Sequence, residues 1–346
     1  MGKHLVTISS CLLLCFALAC GISAHAQFSK KVDDRVVQAD TLMGREDFNG
    51  ALALYTKVIE TSKLATPQEL QVLYKRAYCY YSLERFDDAR IRLVRQERTG
   101  ISPALNRGLG LAAGEFICRF DADDVCFPHR LQLQVAYLDA HPGHLVVGSD
   151  AEYISEDGEH LFHFRCAGHS HEEIVGGIYR HCPFIHSAVL YRKEAILTAG
   201  GYSLLAHTFE DYLLWIRLVT MGKCANLDEA LIRVRINPAS ATIDERWRGR
   251  RFNGLKRQVI RRGEITEKES EELMEIIKRQ ETKKIKQGAY HALCGKKFLH
   301  ENYRPAKARW HVTRAIYAHP LRLDNYAMFA VSFLPPGLIR WLMKRK

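Results

Sequence analysis

Three carboxylates stand almost side by side in FICRFDADDVCFPHR, residues 116–130. Asp121, Asp123 and Asp124 follow Phe116, Ile117, Cys118 and Phe120, an apolar run that reads as a buried strand. Clustered carboxylates repel one another unless protonated, paired or bound to a cation, and hard oxygen donors suit Mn2+ or Mg2+. Open α/β sheets bind ligands beyond the carboxyl ends of their strands, which is where these three fall. The plainer alternative is a turn and a cap for a helix starting at Pro128, since Asp favours both. A second acidic pair, Glu210-Asp211, occurs in HTFEDYLLWIRL. With Thr208 as N-cap, Asp211 completes a variant of the capping box, a purely structural role. Yet Leu214, Trp215 and Leu218 lie three, four and seven residues further on, so Asp211 shares the face that packs inward. Desolvation there raises a carboxylate's pKa and makes it a better general base.

The elements that must position these groups can be read from their periods. SPALNRGLGLAAG is an amphipathic helix with Pro103 near its first turn and Gly114 as its stop, and EFICRF is an apolar strand. A helix over 128–139, strands at HLVVGSDAEYIS and SAVLYRK, a helix at FEDYLLWIRLVTMG and the segment EALIRVRI follow. Upstream, IRLVRQE alternates like a strand. The alternation predicts an α/β fold with a largely parallel sheet. Beyond Ser240 the chain is helical and basic, and the end, FAVSFLPPGLIRWLMKRK, interleaves apolar residues with Arg and Lys. Such a face can lie on an anionic membrane surface or pack back on the domain. Aromatic interleaving is too thin for single-strand binding, so no nucleic acid partner is expected.

The formal charge of +11 over 346 residues favours anionic partners without choosing among them. Residues 1–26 read as a secretory signal peptide, with an apolar run from Leu5 to Ala19 and Ala24-His25-Ala26 before Gln27. Residues 27–89 are helical: GREDFNGALALYTKVIE and LERFDDARIRLV set Phe48 and Ala51 against Phe86 and Ala89, and residues 32–89 resemble tetratricopeptide repeats. Seven scattered cysteines beyond the leader, without C-x-x-C spacing, resemble the buried thiols of a reducing compartment, at odds with export. His163, Cys166, His169, His171, His181, Cys182 and His186 crowd one stretch, but their spacing fits no structural zinc pattern. Gly108, Gly110 and Gly114 precede a strand rather than follow one, so they are no dinucleotide fingerprint.

The order and spacing of GISPALNRGLGLAAGEFICRFDADDVCFPHRL, CPFIHSAVLYRK, GGY, FEDYLLWIRL and NLDEALIRVR resemble the family 2 glycosyltransferases of GT-A fold, over about residues 91–240. The resemblance implies an incomplete GT-A, Rossmann-like mixed sheet over 90–240, between the helical unit and a basic helical region over 241–346. It makes Asp121 and Asp123 the D-x-D pair holding Mn2+ or Mg2+ against a nucleotide diphosphate. It makes Asp211 the catalytic base beside Glu210, and sets Arg235 against leaving-group charge; His186 and Glu210 line the acceptor side. The implied reaction is inverting transfer of a hexose from a nucleotide-diphosphate sugar donor to a saccharide or lipid-linked acceptor, at the cytoplasmic face of the inner membrane. The family's opening V-S-V-x-x-P-x-Y-N and Asp-Asp-Gly-Ser segments do not occur; Asp33-Asp34 is followed by Arg35 and reads as surface charge. The nucleoside-binding half is thus expected to be missing and activity impaired. The alternative is a secreted or lipid-anchored interaction protein carrying an inert transferase remnant.

Overall fold

The computed structural model describes residues 30–61, 72, 75–76, 79, 94–280, 283–335 and 337–339. The leader and Phe86 and Ala89 of the repeat comparison lie outside the described residues. Helices α1 (Lys30–Gly44) and α2 (Phe48–Thr61) form a hairpin whose seam buries Val36, Ala39, Ala51, Leu52, Tyr55 and Val58. Asp34 is exposed on α1, as surface charge should be. Residues 94–100 form no regular element and are largely exposed, so the strand expected at IRLVRQE is not formed over its described part. Of Val94, Arg95, Gln96 and Glu97 only Val94 is apolar, which leaves no face to bury.

Helix α3 (Ile101–Leu111) follows and ends at Ala112, which turns extended with ψ 132°, two residues before the expected glycine stop. Next come β1 (Phe116–Cys118), β2 (Val125–Cys126), α4 (Arg130–Ala140), β3 (His144–Ile154), β4 (His160–Phe164), α5 (His171–Gly177), β5 (Leu190–Arg192), α6 (Lys193–Thr198), α7 (Glu210–Met221) and β6 (Lys223–Arg235). The sheet runs β1-β5-β3-β6-β2, with β4 also paired to β3. Among the described residues only β3 and β6 pair in parallel; β1–β5, β3–β5, β3–β4 and β2–β6 are antiparallel. The sheet is therefore mixed, where strand–helix alternation had suggested mainly parallel pairing. A parallel pair requires a long crossover, and the segment from β3 to β6, with α5, α6 and α7, supplies one.

Alternate strand residues point to opposite faces. Ile117, Val146 and Tyr191 pack with Leu105 and Leu109 of α3 and Leu214, Trp215 and Leu218 of α7. Their neighbours Phe116, Val147 and Leu190 pack with Leu138 of α4 on the other side. Helices α8 (Gly249–Arg262) and α9 (Glu267–Gln280) cover the outer face of α7 through Phe252, Leu255, Val259, Leu273 and Ile277. Helices α10 (Lys283–His300), α11 (Pro305–Ala318) and α12 (Leu323–Val331) close the other end, where Tyr290, Cys294 and Phe298 meet Leu161 and Phe162 of β4. Among the described residues no helix is long and apolar enough to cross a membrane. The seven cysteines are free thiols, and Cys79, Cys166, Cys224 and Cys294 are buried.

Candidate active site

Strand β1 runs out into a turn over 119–124, closed by the Asp124 N–H donating to Asp121 O at 3.2 Å. None of the three carboxylates caps α4, whose N-cap, His129, makes no side-chain cap bond. The turn half of the plain alternative stands and the cap half does not. Two residues beyond the point where β2 pairs Val125 with Arg233, Arg235 takes hold of the acidic turn. Its N–H donates to Asp124 Oδ1 at 2.8 Å and its Nε to Asp123 O at 2.9 Å. Its Nη1 donates to Ser155 O at 3.2 Å and Glu156 O at 2.8 Å, in the turn between β3 and β4. Asn237 Nδ2 donates to Asp123 Oδ2 at 2.8 Å. Arg235 thus grips the acidic turn, with its guanidinium engaged on carbonyl oxygens so that it holds two turns together.

Arg119, only 3% exposed, forms an ion pair through Nη1 with Asp121 Oδ2. Its positive charge also reaches Glu210, Asp211 and His186, so the two acidic constellations share one buried cation. Burial pushes the Asp124 carboxyl up to about 7, against the lowering pulls of the Ser187 side chain and then of the Arg235 N–H. Glu210 is likewise pushed up to about 7, first by burial and then by the neighbouring Asp211 charge. Asp211 is raised by burial, opposed by the Tyr212 N–H, which donates to its Oδ1 at 2.7 Å, and by the charges of Lys256 and Arg119. Asp124 Oδ2 and Glu210 Oε2 are buried without a hydrogen-bond partner among the described residues.

Asp211 opens α7 on the same face as Leu214, Trp215 and Leu218, all fully buried. The capping-box reading is overturned: Thr208 has φ 73°, and the N-cap is Phe209, which makes no side-chain cap bond. A β-branched residue at positive φ is a real strain, and here it sits at the approach to Glu210. The Thr208 hydroxyl oxygen accepts from Arg248 Nη1 at 3.2 Å instead. His186, in a short 3-10 turn before β5, pairs Nε2 with the Tyr202 hydroxyl at 2.9 Å. Burial holds its pKa well below the usual histidine range, so the imidazole is neutral.

The sequence reading passes over Arg119 and over the pair Arg130 and Gln134. Arg130 is fully buried and donates to Gln134 Oε1 at 2.9 Å, Arg119 O at 3.1 Å and Val189 O at 3.2 Å. Gln134 donates to Val147 O at 3.2 Å and Ala188 O at 2.7 Å. The available signal was a charge within FICRF and a long polar pair four residues apart on an otherwise inward helix face.

A family model described as Glycosyl transferase family 2 matches residues 65–196, beginning upstream of Ile91 and ending before Asp211. A glycosyltransferase of Haemophilus influenzae is 34% identical over 148 residues, covering 42% of this chain and 54% of that one. The amylovoran biosynthesis glycosyltransferase AmsE of Erwinia amylovora is 32% identical over 166 residues, 47% of this chain and 59% of its own length. The O-antigen biosynthesis glycosyltransferase WbnJ of Escherichia coli is 30% identical over 158 residues, 44% and 60% of the two chains. The chain thus spans between about half and three fifths of the length of these curated relatives. A mannosyltransferase from Pyrobaculum calidifontis, solved with GDP-Man and Mn2+, aligns over 80% of this chain and 71% of its own at a TM-score of 0.38 and 14% identity, too remote to carry an argument. Residues 65–196 of this chain are thus similar to glycosyl transferase family 2, and the relatives that align over 148–166 residues carry glycosyltransferase names.

Proposed function

We propose that the chain transfers a hexose from a nucleotide-diphosphate sugar to a hydroxyl of a saccharide or lipid-linked acceptor, with inversion at the anomeric carbon. The observation that carries this is the ion pair of Asp121 with the buried Arg119, whose charge also acts against the raised pKa of Glu210 and Asp211. The names of AmsE and WbnJ, both tied to saccharide polymers, support the choice of acceptor class.

The acidic turn fits a hard divalent cation. Asp121 and Asp123 each use only Oδ2 in a side-chain bond among the described residues, and Asp124 Oδ2 is buried without a partner. Asp121 and Asp123 would hold Mn2+ or Mg2+, which when bound supplies electrostatic stabilisation of a departing diphosphate. Asp211 takes the acceptor hydroxyl's proton as that oxygen attacks the anomeric carbon. The carbon–oxygen bond to the diphosphate breaks on the opposite side and the leaving oxygen keeps the electron pair, so no covalent sugar–protein intermediate forms. Glu210 and the neutral His186 border the acceptor side.

Exposed Leu321 and Leu323 flank Arg322 at the start of α12, and exposed Phe333, beyond its end, lies under the Arg309 guanidinium at 4.7 Å, a pairing of apolar and basic groups that suits an anionic bilayer. Sugar nucleotides are cytosolic, so this reading puts the site at the cytoplasmic face of the inner membrane. The test is a donor-hydrolysis screen of the full chain against sugar nucleotides, with and without Mn2+, beside Asp211→Asn. Turnover that depends on Mn2+ and falls by ~100-fold or more in the variant is the expected result. Turnover that survives in Asp211→Asn removes the base assignment, and absence of turnover with every donor removes the function.

A further inference from the structure

Away from the acidic turn, a second group of metal-capable side chains comes together across three strands. Asp150 lies within β3 and is 1% exposed, yet among the described residues no Lys or Arg pairs with it. Its Oδ1 accepts from the Cys166 N–H at 2.8 Å and pairs with His169 Nε2 at 2.9 Å, while His163 Nε2 stands 3.8 Å from Oδ2. Asp228 Oδ1 is 3.9 Å from the same His169 nitrogen, and its Oδ2 accepts from Arg165 Nη2 at 2.8 Å. One donor atom from each of Asp150, His169 and Asp228 lies within 4.8 Å of the others.

The backbone is shaped to bring these groups together. His163 faces Glu152 across the β3–β4 ladder, two residues beyond Asp150. Along the parallel β3–β6 ladder, Ser149 pairs with Leu227 but Asp150 pairs with Ala230, so Asp228 and Glu229 bulge out of register. Bulges are uncommon in parallel pairs and serve to re-aim side chains. His169 sits just before Ser170, whose capping box with Glu173 fixes the start of α5, and the His169 N–H also donates to Glu173 Oε2 at 2.8 Å.

We propose that Asp150, His169 and Asp228, with His163 as fourth donor, form a zinc site distinct from the D-x-D turn. Two imidazoles and two carboxylates are a borderline donor set that suits zinc over Mg2+, whereas the D-x-D turn offers only oxygen. Zinc bonds of about 2.0–2.2 Å place tetrahedral neighbours ~3.3 Å apart. Asp150 stands 2.9 Å from His169 through Oδ1 and 3.8 Å from His163 through Oδ2, His169 stands 3.9 Å from Asp228 Oδ1, and the donors of Asp150, His169 and Asp228 lie within 4.8 Å of one another, so side-chain rotation that draws in Asp228 and His163 completes the shell. A buried carboxylate needs compensating charge, and a bound cation supplies it directly at Asp150. The bound ion ties β4, the 165–170 segment and the β6 bulge to the central strand. Spacing rules miss it because two donors are carboxylates on separate strands and only two of the seven crowded His and Cys residues take part.

The test uses the full chain, purified without a histidine tag, in an Asp123→Asn background that disables the D-x-D turn. Zinc content is measured by elemental analysis and affinity by competition with a chromogenic chelator, for that protein and for added Asp228→Asn or His169→Gln. The expected result is about one zinc per chain, a melting temperature that rises on zinc addition, and affinity lowered in each variant by more than the ~10-fold typical of losing an outer partner. Asp228 is 62% exposed, so its variant keeps the fold and carries the test if His169→Gln does not. A folded chain that retains no zinc, or zinc bound equally well after Asp228→Asn, overturns the site.

Discussion

At the scale of single residues, the buried Arg119 bears on both acidic groups of the proposed site. It pairs with Asp121 and opposes the raised pKa values of Glu210 and Asp211. Replacing it by Met therefore lets the base hold its proton to higher pH, and the acidic limb of the donor-hydrolysis profile should move up by ~1 unit, as for loss of an arginine beside a carboxylate. Stability carries a related signature. Asp124 and Glu210 have folded pKa values near 7, above those of the unfolded chain near 4. Their protonated forms fit the fold, so their contribution is full below about pH 4 and is lost as pH rises through about 7, at up to ~1.4 kcal/mol per pH unit for each group. Urea midpoints measured in EDTA should fall across that window, and Asp124→Asn with Glu210→Gln should flatten the fall. The acidic positions were legible because carboxylates directly after an apolar run contrast with what precedes them. Thr208 was not, since its positive φ is imposed by packing and leaves no trace in residue type.

At the scale of elements, α4 is fastened to the sheet by polar side chains as well as by Leu138. Arg130 and Gln134 reach carbonyl oxygens of β3 and of the segments flanking β1 and β5, from inside a fully buried setting. Arg130→Ala takes the donor from buried Gln134 Oε1 and Arg119 O, each worth about 1–3 kcal/mol when left unmade, while Val189 O keeps the Arg119 N–H, and with the lost packing it should lower unfolding free energy by about 3 kcal/mol or more. Denaturant melts check this, and an unchanged m-value would show that the fold itself persists. Most strands and helices of the α/β region could be read from their periods, to within a few residues. Their directions could not: whether Leu190–Arg192 runs with or against β3 depends on connections of many residues, not on local pattern. Arginine burial was hidden for a similar reason, because the Arg130 partner Val189 lies far along the chain.

At the scale of the whole molecule, the turn into α12 presents Leu321 and Leu323, 85% and 78% exposed, on either side of Arg322. Leu321→Glu with Leu323→Glu should cut cosedimentation with phosphatidylglycerol vesicles by ~10-fold or more while leaving donor hydrolysis in solution unchanged. Binding that persists would mean the face packs against protein instead. Helix α10 is also joined to the acidic turn through one residue, Glu156. The Glu156 N–H donates to the Tyr290 hydroxyl oxygen of α10 at 3.2 Å, while its carbonyl takes the guanidinium of Arg235, which grips Asp123 and Asp124. With the tail resting on lipid, that linkage would act as a ruler. It would fix the height at which a sugar is handed over, and acceptors would be sorted by how far their reactive hydroxyl stands off the bilayer.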